Sequence, residues 1–591
     1  LNNFTLLGTT WVVCIGLILY FRKYPLAPDS VPIDSDSSPA EFLSRNLNKR
    51  GLLFLALIAT VVSIPVQVFW IKYLFLLHEV HPLASWDVVT YHLPNAIDYL
   101  QGHSLWTMKG SFSQYPGGNE LINMWSFISL KTDSLLGLTS AAFNLVIVLI
   151  LLILLRSLNL VQSRFYHWLN FIFIVCILWL QPDYQRSLFA FGQNDLPLAC
   201  VEILALWLLL KALDSPDQRR YWIAFGAMLG IGIGIKPNGL YYFLGFLILM
   251  GSILFFQKKI NPQKIFKISV LVVGISSILG GFWYLRNFII FGTVFEASIL
   301  ESGFPGAIVN NLFNPDLYVL DNTNLTLMGI IIINLIGWLV VYFSRPLQDS
   351  PFVLFLSFNV IAFVSFIVTP HSSGFWAGGQ WIFNTQLRYG ITLIPVTIVV
   401  AIATVTVLLK SMPECYLNQW RNLINSFHQS NPKNIKNQTL SQTHILMAWK
   451  TIGVIFLLSI LQIVTYSLPV SLPNFEAILF ARNAASPLSK VYIWVQDNIS
   501  NQTIYTIGLR PYGLYNFPFS NRVIYGGDSD QWTYVDALNV LENDRPDFFA
   551  LSRNPFNGKF PVALKEMLDT PTQFELVYGD GLAVIFKTQN S

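Results

Sequence analysis

This chain has little charge: Asp, Glu, Lys and Arg make up 12% of its 591 residues, against 53% hydrophobic. A globule of this size cannot hide so much apolar surface, which excludes a wholly soluble fold. Cysteine is far scarcer, with 4 residues. Cys14, Cys176 and Cys200 fall in apolar runs and Cys415 in a loop, leaving no disulfide framework and no metal-ligand spacing. No internal repeat relates the two halves. The formal net charge is only +4, and its Lys and Arg follow the loops between apolar runs, so it implies membrane topology and no nucleic-acid partner.

What is abundant is uninterrupted apolar sequence. A helix needs roughly 20 apolar residues to cross a hydrocarbon core. Such windows place spans near 3–21, 52–77, 135–155, 166–181, 196–212, 222–235, 238–256, 268–288, 325–343, 351–369, 389–409 and 450–468. The fold class expected is a polytopic α-helical membrane protein of about twelve spans with a small C-terminal extracytoplasmic α/β domain. Two spans, 166–181 and 222–235, are short, and "KPNG" (236–239) reads either as the tip of a tight hairpin or as a break within one bent segment.

Orientation follows from where the cations fall. Arg22, Lys23, Arg45, Lys49 and Arg50, then Arg156 and Arg164, then Lys211, Arg219 and Arg220, then Lys258, Lys259, Lys264 and Lys267, then Arg345, then Lys410, Arg421, Lys433 and Lys436 occupy every second loop. Those loops are expected to be cytoplasmic. Both termini then face outward. The first span lacks a basic leader and a small-residue cleavage site, so it is expected to be retained. Residues 1–51 form an additional N-terminal span and cytoplasmic loop, 52–470 the transmembrane body with a large outer loop at 78–134, and 471–591 the outer domain.

From about Ser486 the pattern changes. "KVYIWVQDNI" has helical periodicity, "TIYTIG", "RVIYGG" and "DFFALS" read as strands, "YVDALNVLEN" as an amphipathic helix, and "FELVYGDGLAVIFKT" as a hairpin turning at Gly579-Asp580-Gly581. Strands alternating with helices imply a mixed sheet. With no glycine-rich phosphate loop after a strand, the domain is either an acceptor-recognition module or a folded cap with no ligand.

The outer face carries the chemistry. In "SWDVVTYHLPNAIDYL" (85–100), Pro94 is tolerated only near a helix start, so Asp87 to His92 are expected on non-helical backbone, with Asp87, Tyr91 and His92 at the interface. A short helix follows along the membrane surface, with Leu93, Ile97 and Leu100 on its apolar face and Asp98 toward solvent. "FGQNDLPLACVEI" places Asn194 and Asp195 at the mouth of a span, where both a helix cap and a reactive acid fit. Glu202 lies about 10 Å deeper on roughly the same face, a depth at which an ionisable side chain needs a polar cavity or a partner. Lys236, Arg286 and Arg388 stand at outer ends of spans, where each fits either snorkelling or an anionic head group.

In this order and sidedness, "YHLP" after Asp87, "NDLPL", "KPNG", "WYLRN" with a following "FG", and "LRYG" resemble the GT-C glycosyltransferases, in particular the family 39 group of protein O-mannosyltransferases and bacterial aminoarabinose transferases. The likeness covers about 80 to 410. Many relatives have an Asp-Glu pair in the first outer loop, whereas Asp87 is followed here by Val88. The resemblance implies transfer of a sugar from a polyprenyl-phosphate donor to a lipid, polysaccharide or protein acceptor on the outer face of a bacterial inner membrane, with inversion. Asp87 would be the general base, Asp195 would orient it or the acceptor, and Lys236, Arg286 and Arg388 would cradle the phosphate. Tyr91, His92, Asn194 and Glu202 would bind substrate, and no metal or other cofactor is expected. The competing reading is a secondary transporter or lipid-linked sugar flippase, against which stand the missing repeat, the large outer loop and the outer domain.

Overall fold

In the computed structural model of the chain, the described residues are 87–107, 112–130, 136–158, 192–256, 261–295, 322–343, 351–369, 375–377, 380–382, 390–411, 489–516, 519–527, 529–553 and 558–589, with single positions between 170 and 188. The expected spans at 3–21, 52–77 and 450–468, most of 166–181, and Arg388 lie outside them.

A π-helical turn, Val88–His92, runs into α1 (Leu93–Gly102). Then come α2 (Gly118–Leu130), α3 (Leu136–Ser157), α4 (Asp195–Asp214), α5 (Arg219–Ile235), α6 (Gly239–Phe256), α7 (Pro262–Phe291), α8 (Asn322–Phe343), α9 (Pro351–Val368), a short pair β1 (Phe375–Ala377) and β2 (Gln380–Ile382), and α10 (Leu393–Ser411). Among the described residues, α4, α7 and α9 are long and apolar enough to cross a membrane, and 142–157, 239–255, 329–343 and 393–408 are shorter apolar helices. "KPNG" is the tip of a hairpin. Lys236 leaves α5 in extended conformation, and Phe225 meets Phe246 at 5.5 Å well back along both helices.

Small residues set the closest helix contact. Gly226, Gly230 and Gly234, spaced by four, form a stripe on α5 that meets Val272, Ser276, Gly280 and Trp283 of α7. Ser276 Oγ donates to the Gly226 carbonyl at 2.8 Å. With lipid on the outside, backbone approach of this kind replaces hydrophobic burial as the force that joins spans. The contacts advance in the same direction along both helices, so α5 and α7 are parallel. Leu198 and Val201 of α4 lie beside Gly232 of α5, and the start of α4 meets the end of α5. Hence the start of α4, the end of α5 and the end of α7 share one end of the bundle.

That end is capped by the C-terminal part. It comprises α11 (Ser489–Asn498), β3 (Thr503–Ile507), β4 (Arg522–Tyr525), α12 (Tyr534–Asn543), β5 (Phe548–Ser552), α13 (Ala563–Asp569), β6 (Phe574–Gly579) and β7 (Ala583–Thr588). The sheet order is β4-β3-β5-β7-β6. Strand β3 is parallel to β4 and β5, and β7 is antiparallel to β5 and β6. The mixed sheet and its hairpin match the sequence pattern.

Three expectations about 87–100 are corrected. Asp87 has helical backbone (φ −58°, ψ −44°), not irregular backbone: the widened π turn accommodates the Pro94 ring, so the helix need not begin at the proline. The apolar face of α1 does not lie on lipid. Leu93 and Ile97 enter a core shared with Val491, Leu514, Tyr515 and Phe519. Asp98, expected in solvent, is 5% exposed and accepts the Tyr515 hydroxyl at 2.9 Å.

Candidate active site

Each helix end at the capped side brings a polar residue to the same region. Asp195 opens α4 and is 2% exposed; its Oδ1 pairs with Lys236 Nζ at the end of α5. Asn194, expected to cap α4 or bind substrate, is buried with no side-chain capping bond. The capping alternative is therefore absent, and the Asp195 carboxylate points to a cation instead. Glu202, two turns deeper, is 3% exposed, and its Oε2 accepts the hydroxyl of Thr392, just before α10, at 2.5 Å.

Arg286 is completely buried. Its Nη1 donates to the Tyr99 hydroxyl and the Leu105 carbonyl, both at 3.0 Å, and its Nη2 to the Ser113 carbonyl at 2.6 Å. The guanidinium also lies 4.9 Å from the Trp283 ring centre. Asn287, beside it, donates to the Gln114 carbonyl at 2.5 Å. Arg286, expected in a phosphate cradle, ties Tyr99, Leu105 and Ser113 to the end of α7. The planar fork suits this, since it serves several carbonyls in one plane. Burial, eased by the adjacent Arg286 charge, pushes the Tyr99 hydroxyl up to about 12, so it remains a protonated, neutral partner.

The turn that carries Asp87 meets α2. Asp87 itself is half-buried at its start. Tyr91, expected at the interface, is buried against Phe112 and Tyr115, with ring centres 5.0 and 5.8 Å away. His92 is buried too, and its Nδ1 lies 2.6 Å from Oε1 of Glu120 on α2. Sequence reasoning missed Glu120. The only signal was an acid in the first turn of a helix opened by "PGGNE", and neither the spacing of 28 residues from His92 nor a local period points to the pairing. Gly192 was missed as well: at φ +81° it turns its carbonyl to Asn119 and Asn123, which donate to it at 2.6 and 2.9 Å and so tie α2 to the approach to Asp195.

The turn at Asp87, the first turn of α2, and the ends of α4, α5 and α7 thus meet under the C-terminal cap. Gly118 of α2 abuts the Gly234 carbonyl of α5, one turn from Lys236. Among the described residues, no three His, Cys, Asp or Glu side chains gather into a metal-binding group.

Residues 124–283, from the middle of α2 into α7, match the family described as dolichyl-phosphate-mannose-protein mannosyltransferase. ArnT from Cupriavidus metallidurans bound to undecaprenyl phosphate is similar in fold, with a TM-score of 0.51 at 14% identity over 90% of this chain and 99% of that chain. Its apo form gives 0.50 at 14% identity, over 90% and 98%. Comparison with curated proteins returns no match. Part of the chain is thus similar to the protein mannosyltransferases, and its fold is similar to that of ArnT.

Proposed function

We propose that the protein transfers a sugar from a polyprenyl-phosphate donor to an acceptor hydroxyl on the extracytoplasmic side, with inversion at the anomeric carbon and Asp87 as general base. The observation that carries this reading is the convergence at one bundle end of a half-buried carboxylate, a buried acid–lysine pair and an arginine-fastened outer segment. The glycosyl bond breaks through an oxocarbenium-like state, which needs a base on the attacking side and positive charge toward the departing phosphate. Asp87 supplies the first. Lys236, whose ammonium has three donors, supplies the second and trades Asp195 for phosphate when the donor binds. Arg286 acts by holding the wall of the site, and Arg388 remains the expected second phosphate ligand.

The outward assignment is supported by charge. Arg156, Lys211, Arg219, Arg220, Lys264 and Lys267 fall at the opposite ends of their helices, as cytoplasmic retention of positive charge requires. The ArnT neighbour was solved with undecaprenyl phosphate, which favours a polyprenyl carrier. The phosphate charge is matched by lysine and arginine, so the proposed step invokes no metal.

Asp87→Asn tests the base. It keeps shape and hydrogen-bonding capacity but removes the basic oxygen, so purified protein should fold normally and transfer sugar roughly 100 to 10,000 times more slowly. Near-normal transfer by Asp87→Asn would sink the assignment.

A further inference from the structure

The buried His92–Glu120 pair is not used by the step above. Toward a Glu120 carboxylate, whose oxygen only accepts, His92 Nδ1 at 2.6 Å is the donor, and in the neutral imidazole the bare nitrogen is then Nε2. Neither that Nε2 nor Glu120 Oε2 has a hydrogen-bond partner among the described residues, although both are buried. Buried polar atoms without partners cost free energy, and here two of them fall on one ionisable pair. The location is also specific. The π turn closes from Val88 to Leu93, five residues apart, so His92 comes back over the side from which Asp87 starts, where a regular α turn would carry it away. Buried carboxylate, oriented imidazole and open nitrogen reproduce the arrangement by which an acid fixes the tautomer of a histidine that must accept a proton.

We propose that His92 and Glu120 form a proton-relay pair behind Asp87, with Glu120 as the positioning residue. The inference rests on Asp87 being the base. As the acceptor oxygen bonds to the anomeric carbon and the carbon–phosphate oxygen bond breaks, the acceptor proton passes to the Asp87 carboxylate. The resulting carboxylic acid gives that proton to His92 Nε2 and becomes a carboxylate again. The imidazolium is held by Glu120 until its Nε2 proton leaves to water. Each turnover thus returns all three side chains to their starting state. Positioned acid–base groups of this kind change the rate of turnover with little effect on substrate binding.

The test uses purified full-length protein added to membranes of the source cell that lack the chromosomal copy and hold tritium-labelled lipid-linked sugars. His92→Gly, His92→Gln and Glu120→Gln should each lower kcat by roughly 10- to 100-fold and leave the apparent KM for the labelled lipid within about twofold. Imidazole in the buffer should restore His92→Gly but leave Asp87→Asn and wild type unchanged. The double variant His92→Gln/Glu120→Gln should be no slower than either single one, because the two act as a unit. Normal kcat in Glu120→Gln overturns the relay. So does a loss in both His92 variants that follows the loss of folded protein without imidazole rescue, which assigns the pair to structure. Asp87→Asn run in parallel separates the two readings: if it is inactive while the His92 and Glu120 variants are normal, the base stands and the relay falls, and if it is active, the base itself falls.

Discussion

Lys236 and Asp195 show how much one residue's meaning depends on its partner. Asp195 is 2% exposed and Lys236 only partly so, which makes the pair a buried one. Removing one member of such a pair costs about 3–5 kcal/mol because the other charge is left uncompensated, whereas replacing both is far milder. Lys236→Gln should therefore lower the melting temperature in detergent sharply, and adding Asp195→Asn should recover most of it. Turnover should stay low in both, since the phosphate still lacks its cation. A double variant that regains turnover along with stability would remove Lys236 from the chemistry. At this scale the sequence showed that Asp195, Glu202, Lys236 and Arg286 are ionisable residues at the ends or within apolar runs, which is enough to flag them. It could not show that Arg286 spends its donors on Tyr99, Leu105 and Ser113, because a guanidinium reads the same in sequence whether it faces a phosphate or a backbone carbonyl.

Among the elements, α5 and α7 carry the sharpest consequence. Gly280 and Gly281 are neighbours in sequence with opposite surroundings. A Cβ on Gly280 would sit 2.5 Å from the Gly230 carbonyl, and one on Gly281 would meet nothing within 4 Å. Gly280→Ala must push backbone against backbone and separate the two helices, which lowers thermal stability and, since α5 ends at Lys236 and α7 carries Arg286, lowers turnover with it. Gly281→Ala should be neutral or stabilising by up to about 1 kcal/mol, the gain of removing glycine from a helix interior. Melting curves of the two proteins check this directly, and equal loss in both would show that the glycine stripe is not the contact. The spacing of the stripe was visible in "FGAMLGIGIG". Its partner on α7 was not, because a small residue marks where a backbone can approach and not which backbone does.

The whole molecule places the C-terminal part and the site on one side. Tyr515 donates to Asp98, and Gln101 donates to the Phe519 and Asn521 carbonyls at 2.9 and 2.7 Å, so the sheet domain fixes the helix that continues from Asp87. Burial, reinforced by Asp98, pushes the Tyr515 hydroxyl well above its ordinary range, and it stays a donor. Tyr515→Phe should lower stability by about 1–3 kcal/mol and reduce turnover more than 400 residues away in sequence, as melting and transfer assays would show. Sidedness has its own check. Cysteines placed at exposed His103 and Asn543 should react with a membrane-impermeant maleimide from the outer face, and one at exposed Asp217 only after the membrane is opened. Labelling of His103 and Asn543 positions from opposite sides would contradict a shared end.

The sequence by itself determined that the chain lives in a membrane, roughly where the described helices of its body run, and the strand order of its tail, though not the helix α13. Those properties depend on local hydropathy and period, which each segment carries alone. Only the tertiary structure decided that Asp98 is buried, that Asp195 holds Lys236, that Arg286 binds Tyr99, Leu105 and Ser113, and that Glu120 meets His92. Such pairings join residues 28 to more than 400 positions apart, and they depend on which helix ends meet. Packing of whole elements sets that, and no local pattern encodes it.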